Sequence, residues 1–117
     1  MAAPVQGSSG VVVPLQVAST TTGNGTAVVP GPRVKNHSVY IMGSGTTSGG
    51  AISIEEATDP AYAGTWSVIQ SVNASTVTGT AQSVVHFTAS CRAIRARVSS
   101  NITGGGSIQV DYRGETD

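Results

Sequence analysis

From Val11 to Arg113 apolar side chains recur at every second position in short runs, and segments rich in Gly, Pro, Asn, Ser and Thr separate the runs. A period of two puts alternate side chains on one face of an extended chain, so each run is predicted to be a strand with one buried face. Eight such runs are present, at 11–17, 26–29, 34–42, 51–56, 65–72, 83–89, 92–100 and 107–113. A 3.6-residue period nowhere persists long enough for a real helix. The connection 57–64, with its turn at Asp59-Pro60, is the one place where a helical turn is expected.

Parity assigns the faces. Val39 and Ile41 are expected inward with Ser38 and Tyr40 outward, and Ile52 and Ile54 inward with Ser53 and Glu55 outward. Trp66, Val68 and Val72 share one inward face; Val85 and Phe87 point in while Val84, His86 and Thr88 point out. The run RAIRARVSS alternates most cleanly, with Ile94, Ala96 and Val98 on one side and Arg95 and Arg97 on the other, and Ile108, Val110 and Tyr112 are inward in the last run. The expected core anchors are Trp66, Phe87, Ile94, Val98, Ile108 and Val110. Pro14 lacks an amide donor and marks its strand as an edge. The Gly-rich turn at 101–106 is expected to join the last two strands as a hairpin.

Strands at intervals of roughly ten residues predict an all-β fold, an antiparallel β-sandwich of jelly-roll or immunoglobulin-like type, spanning 11–117 as one domain. A small closed barrel is the competing arrangement. Residues 1–10 are small and aperiodic, and are expected to be a flexible N-terminal arm that orders only against a partner, with Val5 and Gln6 among its contacts.

Composition sharpens this picture. Val (16) and Ile (7) far outnumber Leu (1), which suits a pleated sheet and excludes a helical bundle. The zero net charge and mere six basic residues exclude the electrostatic footprint that nucleic acid or an anionic membrane requires. A single Trp and a single Phe leave a thin core, so a subunit interface is expected to contribute to stability. The lone Cys91 cannot form an intrachain disulfide and reads as a small apolar residue. The N-terminus has no basic region, and VVVPLQVA is short and broken by Pro14, so neither a signal peptide nor a membrane span is expected. The four Asn-x-Ser/Thr triplets, at Asn24, Asn36, Asn73 and Asn101, then read as turn or strand-edge residues.

The candidate chemistry is sparse. A Gly-x-Ser-x-Gly elbow is absent, and His37 and His86 are not at metal-ligand spacing, so no catalytic, cofactor or metal residue is assigned. His37 is read as a structural histidine, and Glu55, Glu56 and Asp59 as a solvated acidic group without the spacing of a calcium loop. Tyr40 and Tyr62 are the two aromatics placed outside the core, a thin basis for sugar binding. Arg92, Arg95 and Arg97 hold half of all basic charge within six residues. Because guanidinium pairs carboxylate in planar, bidentate fashion, Arg95 and Arg97 are the expected interface residues.

Trp66 within TWSVIQSV, the strand CRAIRARVSS and the segment NITGGGSIQVDYRG, in that order, resemble the small β-sandwich virion proteins of tailed bacteriophages, including capsid decoration (cement) proteins and related head or tail accessories. The resemblance spans residues 60–114 at most. It implies a non-enzymatic structural protein, made in the bacterial cytoplasm and not secreted. Such a protein joins the virion as a symmetric homo-oligomer, a trimer favoured, with the major capsid protein or another virion protein as partner. The alternative is a carbohydrate- or receptor-binding module of a phage fibre, spike or tail component. A small hydrolase would instead need His37 or His86 beside an Asp or Glu.

Overall fold

The computed structural model describes residues 5–7, 12–31, 33–79, 81–90 and 92–116. They form nine strands: β1 (Val5–Gly7), β2 (Val12–Ser19), β3 (Val28–Pro30), β4 (Val34–Ser44), β5 (Gly49–Ala57), β6 (Ser67–Asn73), β7 (Gln82–Thr88), β8 (Ala93–Thr103) and β9 (Ser107–Thr116). Strands β2 to β9 correspond one for one to the eight alternating runs.

Two sheets pack face to face, ordered β1-β3-β8-β5-β6 and β2-β9-β4-β7, and every pairing among β2 to β9 is antiparallel. The pairs β2:β9, β3:β8, β4:β7 and β5:β6 nest inside one another. The chain is therefore one long hairpin folded over so that its successive rungs enter alternate sheets, which is the order of a jelly roll. Strand β2 is an edge of its sheet, as Pro14 requires.

This topology corrects three expectations. Strands β8 and β9 do not form a hairpin; they belong to different sheets, and the turn between them carries the chain across the sandwich. Gly104 and Gly105 do take positive φ, +107° and +94°. The turn, however, packs against the β4–β5 connection: Ser48 N–H donates to Thr103 O (2.8 Å) and Gly106 N–H to Thr46 O (2.7 Å). A β-carbon at Gly104 would meet Thr46 O at 2.8 Å. The helical turn lies at Ala74–Val77, a short 3-10 segment, and not within 57–64. Val5–Gly7, in the stretch expected to stay without structure until a partner is met, pairs in parallel with Val28–Pro30. The outer edge of β3 offers unsatisfied backbone groups, and the chain's own N-terminal segment is at hand to take them. Residues 1–4 and 8–10 lie outside the described residues.

The core fills the space between the sheets with Leu15, Val28, Val39, Ile41, Ile52, Ile54, Ile94, Ala96, Val98, Ile108, Val110 and Tyr112, all nearly or fully inaccessible. Phe87 is half-buried and packs against this cluster. Trp66 is not part of it. The β5:β6 ladder pairs Ile54 with Gln70 and then Glu55 with Val68, so Ile69 is an extra residue in β6. A one-residue bulge exchanges the faces beyond it. Val72 stays inward, whereas Val68 emerges 56% exposed. Trp66 is carried to the outer surface of the five-stranded sheet, where it lines a recess with Val68, Glu55 and Arg95.

Candidate functional site

The β5–β6 connection is the tip of the folded hairpin. Asp59 closes its turn, accepting Ala61 N–H on Oδ1 (2.7 Å) and Tyr62 N–H on its carbonyl (3.0 Å). Four residues on, the Trp66 indole N–H donates to Tyr62 O (2.9 Å), which pins the ring to its own loop. The ring is only 3% exposed, and the Arg95 guanidinium carbon sits 4.2 Å from its centroid. That is cation–π geometry with the cation withdrawn from water.

Arg95 and Arg97 project from β8 on this outer face, as their parity predicts. Both are held within the chain by one residue, Glu55 of β5, the cross-strand partner of Arg95. Arg95 places Nε and Nη2 each 2.9 Å from Glu55 Oε1, and Arg97 donates from Nε to Oε2 at 2.9 Å. The Glu55 side chain is 2% exposed, that of Arg95 13% and that of Arg97 38%. Burial by itself raises the Glu55 carboxyl's pKa. The hydrogen bonds from Arg97 and Arg95, with the Ser53 hydroxyl close by but outside normal hydrogen-bond geometry, outweigh it, and the net value lies below the usual 4.5.

Glu55 is thus neither solvated nor grouped with Glu56 and Asp59. Alternation turns Glu56 to the opposite face of β5, and Asp59 is occupied with its own turn. The signal for Glu55 was present but incomplete. Two arginines two apart on one strand face call for an acid on an adjacent strand, and both Glu55 and Asp111 have outward parity. Sheet order chooses between them, because β8 lies beside β5 and not beside β9.

The histidines diverge. His37 and Ser38 face Phe87 and His86 respectively across the β4:β7 ladder, so the two imidazoles lie on opposite faces of one sheet. His86 is exposed, with Nδ1 2.9 Å from Ser38 Oγ. His37 is 1% exposed and stacks on Phe87 at 4.8 Å between ring centroids. Its Nε2 lies 2.9 Å from Ala89 O, which can only accept, so Nε2 carries the proton and Nδ1 accepts from the Tyr112 hydroxyl at 2.6 Å. Burial lowers its pKa below 6.5, opposed by the Ala89 hydrogen bond and the charge of Glu56. His37 is a structural residue with both ring nitrogens satisfied. Tyr112→Phe strips Nδ1 of its donor inside the core, and is expected to cost about 1–3 kcal/mol in urea denaturation at pH 7.

Of the other sequence-assigned residues, Ile94, Val98, Ile108 and Val110 lie in the core, and the backbones of Val5 and Gln6 pair with Val28 and Val29. Cys91 lies outside the described residues. Tyr62 is 47% exposed at the loop tip and Tyr40 half-buried, while the Arg95 guanidinium occupies the Trp66 face that a sugar would need. Among the described residues no group of three or more His, Cys, Asp or Glu could hold a metal ion, and no helix is long and apolar enough to cross a membrane.

What the fold and this surface define is a jelly-roll sandwich whose polar site lies on the outside of one sheet, beneath the tip of the folded hairpin. Comparison with family models, curated proteins and solved structures finds no match to the chain.

Proposed function

We propose that this protein is a non-enzymatic structural component of a phage virion, a decoration protein that joins the capsid as a symmetric oligomer. The observation that carries the reading is the character of two sheet edges to which no further strand is paired among the described residues. Strands β6 (SVIQSVN) and β7 (QSVVHFT) each end a sheet, and neither contains Pro, Lys, Arg, Asp or Glu. Monomeric proteins normally block such edges with these residues, because an open ladder recruits further strands. Here each edge also carries an exposed valine, Val68 at 56% and Val84 at 38%. Edges of this kind suit association with copies of the same chain or with a shell. Jelly rolls recur in viral capsid and lectin domains, which agrees with the reading without carrying it.

The test is sedimentation of the purified chain alone and with undecorated capsids. The expected outcome is a species several times the 11.7 kDa chain mass that co-sediments with the capsids. Ser71→Lys together with Val84→Lys, which charges the outer face of both edges, is expected to reduce association while leaving the melting temperature of the fold within a few degrees. A monomer that ignores capsids would overturn the proposal.

A further inference from the structure

We propose that the recess beside Trp66 is a carboxylate-binding site in which Arg97 is the primary anchor. Glu55, Gly64, Thr65, Trp66, Val68 and Arg97 enclose it together with Arg95, around a volume of about 350 Å³. That is within the range of pockets that take small ligands.

The charge balance of the site gives the chemistry. Two guanidinium groups share one carboxylate, which leaves a net positive charge in the recess. Arg95 is satisfied, with two nitrogens on Glu55 and its guanidinium carbon over the indole. Arg97 is not. It spends Nε on Glu55, its two terminal nitrogens have no hydrogen-bond partner among the described residues, and its side chain remains 38% exposed. Glu55 therefore fixes the guanidinium by its inner edge and leaves the outer pair of N–H groups open. A planar fork held in this way matches a carboxylate bidentately and has already given up its conformational freedom. The walls add a second requirement: Trp66 and Val68 are apolar, Gly64 presents no side chain and Thr65 has a hydroxyl. A carboxylate on a short aliphatic stem, whether a free acid or a glutamate side chain of a partner, satisfies both.

The inference does not depend on the virion reading, since it concerns binding in solution without capsid. Trp66 is the sole tryptophan and forms a wall of the recess, so its fluorescence reports on the site directly. The experiment titrates the full chain with sodium propionate at ionic strength held constant with sodium chloride. Propionamide, inorganic phosphate and N-acetyl-glutamate N-methylamide serve as parallel probes.

The expected result is a saturable change with propionate and with the blocked glutamate, and none with propionamide or further chloride. Tighter binding of the blocked glutamate identifies a protein side chain as the source of the carboxylate, and tighter binding of propionate identifies a free acid. Arg97→Gln should weaken both at least tenfold in a chain that remains folded, its melting temperature lowered only by the lost ion pair with Glu55. Val68→Glu, at an exposed rim position that does not threaten the fold, sets a competing carboxylate beside Arg97 and should weaken both by a similar factor. The proposal is overturned if propionate gives no saturable response, if phosphate or propionamide matches it, or if Val68→Glu and a folded Arg97→Gln both bind as well as the parent chain.

Discussion

Glu55→Ala is expected to destabilise the domain by about 3–5 kcal/mol, because it leaves two guanidinium groups facing each other without their shared carboxylate. The lower end of that range applies, since Arg97 is 38% exposed and can turn back to water, while Arg95 at 13% cannot. The value is read from urea denaturation at pH 7. The double-mutant cycle with Arg97→Gln isolates the pair: if the two side chains interact as the geometry shows, the double variant loses less than the sum of the single ones. Strict additivity would mean that the Glu55–Arg97 contact contributes nothing.

The same residue shapes the acid limb of stability. A carboxyl whose pKa in the folded state is depressed contributes stability above its unfolded value of 4.5, and that contribution is lost as pH falls through the folded value. His37 acts in the same direction from a higher starting point. Its imidazole is kept neutral by burial, so the unfolded chain binds more protons below pH 6.5 and stability declines from there downward. Melting temperature should thus begin to drop below about pH 6.5 and drop further below about 4.5. Glu55→Gln should remove the second decline and leave the first.

Trp66→Ala is the other large effect, at about 3–5 kcal/mol. The indole is almost fully covered, yet its neighbours are Arg95, Tyr62 O and the recess, and it is absent from the inter-sheet core. Its removal uncovers Arg95 and frees the hairpin tip, so proteolytic cleavage within 58–66 should accelerate together with the fall in stability. Trp66→Phe keeps an aromatic face for Arg95 and loses the indole donor, and should cost less. Phe87→Ala should also be milder than Trp66→Ala, because Phe87 is half-buried. The reverse order would make Phe87 the stronger anchor of the two and would mean that Trp66 contributes little to holding the hairpin tip.

Much of the architecture was legible in the chain because a strand's face is a local property. Alternation alone separates Ile94, Ala96 and Val98 from Arg95 and Arg97, and Pro14 alone places β2 at an edge, since each rests on the geometry of a single extended segment. The eight strands β2 to β9, the inward residues of five of them (β4, β5, β7, β8 and β9) and the sandwich class follow from such segments. What the tertiary structure decided lies between segments. The glycines at 104 and 105 announce a reversal but cannot specify which sheet receives the next strand, so β8 and β9 read as a hairpin although they lie in different sheets. One extra residue at Ile69 reverses parity, and no composition marks it, so Trp66 and Val68 read as core. Glu55 lies 40 and 42 residues from Arg95 and Arg97. Sequence shows that each bears a charge and points outward; the jelly-roll order makes β5 and β8 neighbours, and only that adjacency turns an acidic residue expected in water into the buried centre of the site.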